Sequence, residues 1–281
     1  MKVIKNNTSS YLIRIREHLI ELTTPKIMGI LNLTENSFYD GGKYNSIKSA
    51  TVQTKKMIEE GAFFIDVGVA SSKPGSDIIS PTNEIKILAP YLKHLLREFP
   101  NTYFSIDTYN SEVAKMSLDL GVSMVNDISG GDLDPNMYSI VKSYMVPYIM
   151  VHMKGIPKTM QNDPNYDDIV SEVIYFFSDK IKKARLSGIH DILIDPGFGF
   201  GKNINHNFSL LKNLSLLNTL KCPTVVGVSR KSMIFKTLGC NPEKALNGTS
   251  VLNTLCLDRG AKILRVHDVK EAKECISLWT M

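Results

Sequence analysis

Near the end of the chain, in "AKILRVHDVK" (261–270), the strand formers Ile263, Leu264 and Val266 are interrupted by Arg265 and His267. Residues two apart in an extended chain point to one face, so this segment aims a guanidinium and an imidazole in the same direction. The habit recurs upstream. Other apolar runs end in Asn32, Asp66, Asp107, Asn126 with Asp127, His152, Asp195, and Ser229 with Arg230. One aspartate after one strand reads as a turn former. A polar tip on every run points to a common use.

The tips divide by chemistry. Asp107, Asn126 and Asp195 offer acceptors and one amide donor, a set suited to a neutral heterocycle rich in N–H groups, because a carboxylate accepts two parallel hydrogen bonds from an amidine-like edge. Arg265, His267, Asn32 and Lys231 offer donors and suit an anion. This division predicts a ligand with a heterocyclic head deep in the site and a phosphate group at its rim. "PGFGFGK" (196–202) lacks the GxxxxGK[ST] spacing of a phosphate loop and reads as a flexible strand-to-helix turn.

Elements must bring these tips together. Eight apolar runs read as strands: 26–31, 62–68, 102–107, 123–127, 148–152, 191–195, 224–229 and 262–267. Helical patterns separate them, among them "SIKSATVQTKKMIEEG", "PTNEIKILAPYLKHLLREF" and "DDIVSEVIYFFSDKIKKARLSG", the last opening on aspartates, ending in basic residues and closing on Gly188. Eight strand–helix units in this length are the arithmetic of an α/β fold, an eight-stranded parallel (β/α) TIM barrel, whose strands end on the face where active sites are built. An open doubly wound sheet is the alternative, although no GxGxxG follows the first strand. The alternation in "YLIRIREHLIEL" predicts a short strand or hairpin leading into the fold. The expected division is an N-terminal extension over 1–25 and one barrel domain over 26–281.

Composition narrows the class. The chain has 281 residues, 43% hydrophobic and 22% charged, as a globular protein with a full core requires. A net charge of +5 is only mildly basic, and there is no basic arm with interleaved aromatics, so no nucleic-acid partner is expected. No run approaches the ~18 apolar residues of a membrane span. Cys222, Cys240, Cys256 and Cys275 show no CxxC or zinc spacing and fit reduced thiols in a cytoplasmic protein. The scattered histidines argue against a transition-metal cage.

Seven stretches carry a resemblance. "IMGILNLTENSFYDGG" (27–42), "SIDT" (105–108), "NDISGG" (126–131), "HMKGIPKTMQ" (152–161), "DPGFGFGKN" (195–203), "SRKSM" (229–233) and "RVHDV" (265–269) resemble, in order, the motifs of the dihydropteroate synthase family. The resemblance implies a TIM barrel that joins 6-hydroxymethyl-7,8-dihydropterin diphosphate to 4-aminobenzoate in folate biosynthesis, with release of pyrophosphate, Mg²⁺ present and a homodimer. It implies that Asp107, Asn126, Asp195 and Lys231 hold the pterin. It further implies that Asn32, Ser72, Arg265 and His267 hold the diphosphate, with Asn32 linked to the metal. Ser72, Lys73, Pro74, Phe200 and Ser232 match the 4-aminobenzoate side, and Asp107, Lys231, Arg265 and His267 the catalytic set. Arg230 reads as structural or rim-facing.

Two loops depart from the family pattern. "TENSF" (34–38) stands where relatives read TPDSF, and "GVASSKPG" (68–75) where they read GGESTRPG, so Glu35, Asn36, Val69, Ala70, Ser72 and Lys73 are replacements. Lysine lacks the planar two-point contact of arginine. The departures leave open a paralogue that binds pterin without efficient catalysis. A pterin-dependent methyltransferase module has a similar barrel but needs neither the Arg265–His267 clamp nor Lys231.

Overall fold

A computed structural model describes residues 11–33, 47–69 and 79–281. A hairpin comes first: β1 (Leu12–Ile15) pairs antiparallel with β2 (His18–Glu21). Eight parallel strands then close a barrel: β3 (Lys26–Asn32), β4 (Phe64–Gly68), β5 (Tyr103–Asp107), β6 (Met124–Asp127), β7 (Tyr148–Val151), β8 (Ile192–Asp195), β9 (Thr224–Val226) and β10 (Ala261–Val266), with β10 returning to β3. The doubly wound alternative is thereby excluded. Around the barrel run α1 (Ile47–Glu59), α2 (Pro81–Glu98), α3 (Ser111–Asp119), α4 (Met137–Tyr144), α5 (Ile169–Leu186), α6 (Ile204–Lys212), α7 (Ser232–Phe235), α8 (Leu246–Asp258) and α9 (Val269–Trp279).

The strands are nearly continuous apolar runs because both faces are covered. Alternate residues serve two cores. Ile27, Leu31, Ile65, Val67, Phe104, Ile106 and their counterparts pack against the helices. Met28, Phe64, Met124, Ile149, Leu193, Val225 and Ile263 fill the barrel interior, and Ile13, Ile15 and Leu22 from the hairpin segment pack into that same cluster. The hairpin thus plugs one end of the barrel and leaves the other to the polar tips. Helix boundaries follow local chemistry: the Asp168 carboxylate accepts from the N–H groups of Val170 and Ser171 at the start of α5, and Gly188 takes a φ of +90° just after its end.

Strand boundaries fall within two residues of expectation except one. β9 stops at Val226 rather than Ser229. The chain turns instead, with the Lys231 N–H donating to the Val228 carbonyl and Arg230 at a φ of +55°. That turn delivers Lys231 to the mouth of the barrel.

Candidate active site

The strand alternation that buries Phe64, Met124, Leu193 and Ile263 inside the barrel puts Asp66, Asn126, Asp195 and Arg265 on the same inward face, one pleat nearer the open end. Asn32, Gly68, Asp107 and Asn126 stand in register across β3 to β6. Gly68 makes room for its neighbour, since a Cβ there would lie 3.1 Å from the Asp107 Cβ. Across the barrel, a Cβ on Gly227 would lie 3.9 Å from both Asp195 Oδ2 and the Arg265 Cβ. The carboxylate from the middle of the chain and the cation from its tail therefore share one cup.

They also interact more closely than the sequence reading allowed. Acceptors and donors were expected in separate zones. Instead, Arg265 Nε donates to Asp66 Oδ2 at 2.6 Å and Nη2 to Asp107 Oδ2 at 2.7 Å. The separation fails because closure of the barrel sets β10 one strand from β4, where an unpaired guanidinium and two unpaired carboxylates would each be costly to bury. The fork occupies two of the five guanidinium N–H groups. Asp66 Oδ2 also accepts from Asn126 Nδ2 at 2.9 Å, which fixes the amide with its oxygen free. Asp66 Oδ1, Asn126 Oδ1 and Ser105 Oγ are buried and have no hydrogen-bond partner among the described residues. They are two acceptors and a hydroxyl on the strands β4, β6 and β5. Burial pushes the Asp107 carboxyl up to about 7, against the opposing pull of Arg265.

On the other side, Asp195 Oδ1 accepts the Gly197 N–H at 2.7 Å, and burial raises its pKa while Lys231 opposes. Lys231 stands just before α7, with Nζ donating to the Phe198 carbonyl and lying 4.4 Å from the centre of the Phe200 ring. Burial lowers its pKa to about 8, with Asp195 pulling the other way. Half-buried Ser232 opens α7. The loop carrying Phe198 and Phe200 is anchored from behind by Lys202. Its buried ammonium reaches His152 Nδ1 at 2.8 Å and the carbonyls of Gly197 and Phe200 at 2.9 and 3.0 Å.

His267 lies past the end of β10 at the rim, its Nδ1 3.0 Å from Ser229 Oγ, which also accepts the His267 N–H. Desolvation, then the positive charge of Arg265, lowers the imidazole pKa to about 4. The ring is therefore neutral near pH 7, and the clamp holds one cation and one neutral ring rather than two cations. Asn32 ends β3 at the exposed rim with inward parity. Two tips leave the cup: Asp127 turns to the N–H groups of Ser129 and Gly131 and the Tyr148 hydroxyl, and His152 packs on Phe176. Ser72, Lys73, Pro74, Glu35, Asn36 and Ala70 lie outside the described residues. Val69, where relatives carry glycine, is buried in the core between strands and helices.

A family model described as pterin binding enzyme matches residues 28–267. The dihydropteroate synthase of Escherichia coli K12 is 39% identical over 92% of this chain and 91% of its own length. The chain belongs to the dihydropteroate synthase family. Its activity is accordingly dihydropteroate synthesis, a transferase step of folate biosynthesis. Among solved members, the Yersinia pestis dihydropteroate synthase in complex with a sulfonamide drug superposes with a TM-score of 0.90 at 35% identity, covering 96% of this chain and 98% of that one. The Xanthomonas albilineans dihydropteroate synthase with 4-aminobenzoic acid gives 0.89 at 33% identity, covering 97% and 98%.

For a dihydropteroate synthase, three side chains in or behind the cup carry more than the sequence suggests. Asp66 appeared only as a strand tip, yet it joins Arg265 to Asn126. Its signal was its place inside β4, between Ile65 and Val67, where a charge is expensive without a partner. Lys202 was read as part of a flexible turn, whereas it is buried and fully engaged. Asp268 carries no signal in the sequence, and both its oxygens face Arg230.

Proposed function

We propose that the cup takes the pterin of 6-hydroxymethyl-7,8-dihydropterin diphosphate against Asp107, Asn126, Asp195 and Lys231, with the diphosphate toward Asn32, Ser72, Arg265 and His267. 4-Aminobenzoate enters over Phe200 and Ser232, beside Ser72, Lys73 and Pro74. The observation that carries this reading is the Arg265 fork: one guanidinium spans the carboxylates that suit a heterocycle and keeps N–H groups for an anion. As the methylene C–O bond breaks, negative charge grows on the departing diphosphate and positive charge spreads into the pterin. Arg265 and a His267 N–H stabilise the former, and Asp107 and Asp195 the latter. The amine of 4-aminobenzoate then bonds to the methylene carbon, held in place by the stacked site, and gives up its proton.

Mg²⁺ belongs to the same proposal. Among the described residues no group of three His, Cys, Asp or Glu side chains could hold a metal. A magnesium ion held mainly by diphosphate oxygens and water fits such a site, with the Asn32 carboxamide as a hard oxygen donor. When bound, it would neutralise charge on the leaving group. We further propose a homodimer, supported by Val251 on α8 and Leu278 on α9, which are 51% and 79% exposed. A cytoplasmic location is supported by four free cysteines. No helix is long and apolar enough to cross a membrane.

The test is pyrophosphate release from the two substrates, with and without Mg²⁺. Release that depends on 4-aminobenzoate is expected, as is a loss of turnover and of diphosphate affinity in Arg265→Ala and His267→Ala. Wild-type rates in both variants would remove the clamp from the mechanism.

A further inference from the structure

Two loops of this site break local rules at neighbouring positions, and the departures meet. Arg230 has a φ of +55°, in the left-handed region that residues with a side chain rarely adopt. Asp268 occupies the N-cap position of α9, where an aspartate ordinarily accepts an N–H of the first turn, but its side chain makes no capping bond. Its two oxygens instead receive Arg230, Nε to Oδ2 at 2.8 Å and Nη2 to Oδ1 at 2.8 Å. Arg230 Nη1 donates to the carbonyls of Pro242 and Glu243, each at 2.9 Å, and the Arg230 N–H to Thr249 Oγ1 at 3.1 Å. A guanidinium this fully engaged is not built to receive a substrate anion. One residue back on each loop, Ser229 Oγ holds His267 through both ring and backbone. Residues 229 and 230 are thus pinned to 267 and 268.

We propose that Arg230 and Asp268 are positioning residues whose two-point pair locks Lys231 and His267, the next residue on one loop and the preceding one on the other, into a single rigid body. The pair would set the separation between the pterin–aminobenzoate side of the site and its diphosphate side. The inference rests on the roles given to Lys231 and His267 above. Both local departures are explained by it: the left-handed turn aims the guanidinium across the gap, and the carboxylate abandons its helix to meet it. A planar fork fixes orientation as well as distance, which a point charge does not.

The decisive variants are Arg230→Lys, which keeps the charge and loses the fork, and Asp268→Asn, which keeps the shape and loses one acceptor and the charge. Each is expected to lower kcat roughly 10²-fold, the order that follows from ångström-scale misplacement of reacting groups. KM for both substrates should rise together, while the melting temperature stays near that of the parent. The double variant should be no slower than the worse single one, since both remove the same link. Parent kcat per folded molecule in both singles, or fully multiplicative losses in the double, would overturn the proposal. If Arg230→Lys does not fold, Asp268→Asn alone decides: a kcat lowered roughly 10²-fold at an unchanged melting temperature supports the proposal, and parent kcat per folded molecule overturns it. Lys231→Ala and His267→Ala are the controls. Full activity in them removes the roles on which the clasp rests, whereas inactive controls beside fully active clasp variants remove the clasp alone.

Discussion

The two ends of the barrel use the same strands for opposite purposes. At the plugged end, Phe64, Met124, Leu193, Val225 and Ile263 meet the hairpin residues Ile13, Ile15 and Leu22 in a predominantly apolar floor. One pleat further along, the inward positions become Asp66, Asn126, Asp195 and Arg265, where both the guanidinium and the amide donate to Asp66. The floor is a place where any well-shaped hydrocarbon will do, because burial is nondirectional. The cup is a place where each charge depends on a particular neighbour, because an uncompensated buried charge is expensive. Stability is therefore concentrated at one end and chemistry at the other, on one continuous set of strands.

Substitutions at the two ends should behave differently, and the largest effect is expected in the cup. Asp66→Ala strips Arg265 and Asn126 of a shared partner in a dry site. The expected loss is about 3–5 kcal/mol of unfolding free energy, accompanied by weakened pterin binding. Chemical denaturation and ligand titration on the same sample check both, and a variant that is destabilised yet binds pterin normally would detach Asp66 from the site. At the floor, Ile263→Val lies on the same strand as Arg265 and should cost about 0.5–1.5 kcal/mol with kcat unchanged. A changed kcat in that variant would show that the two ends are not independent.

A third effect is a dependence of stability on pH. Asp107, raised to about 7, binds a proton more tightly in the folded protein than in the unfolded chain, so stability from this group falls as pH rises from about 4 to about 7. Lys231, lowered to about 8, holds its proton less tightly when folded, so stability from this group rises as pH climbs from about 8 toward 10.5. His267, lowered to about 4, gives the opposite slope between about pH 4 and 6.5 and offsets most of the Asp107 fall, so the minimum for the unliganded cup lies between about pH 7 and 8 with a shallow acid side. Melting temperatures across pH 4–10 should show it, with Asp107→Asn leaving a net rise on the acid side and Lys231→Met flattening the alkaline side. A profile that neither substitution changes would mean that these groups keep ordinary proton affinities in the fold.

Most of the architecture was legible because each barrel strand is buried on both faces and reads as an uninterrupted apolar run. The exception, β9, was read three residues too long because "GVS" is apolar enough to continue a strand, and nothing local announces that Arg230 will turn left-handed. The polar tips were legible as a set but not as directions. Asp127 and His152 sit beside inward-facing neighbours, and an offset of one residue sends them to the helix side, where Tyr148 and Lys202 receive them. Asp66 was underrated for the reverse reason: it is two residues short of its strand's end, and only its inward face makes it part of the cup. Family resemblance located Lys231 and His267, whereas the pairing of the residues beside them, Arg230 and Asp268, has no signature in a linear reading.

Eight short apolar runs separated by helical patterns were enough to specify a parallel barrel, because a strand covered on both faces is written locally as a continuous apolar run. Which charge meets which was decided by closure. β10 comes to lie beside β3, so that Arg265 reaches Asp66, 199 residues earlier in the chain. No local preference encodes that meeting. It follows from the packing of the whole barrel.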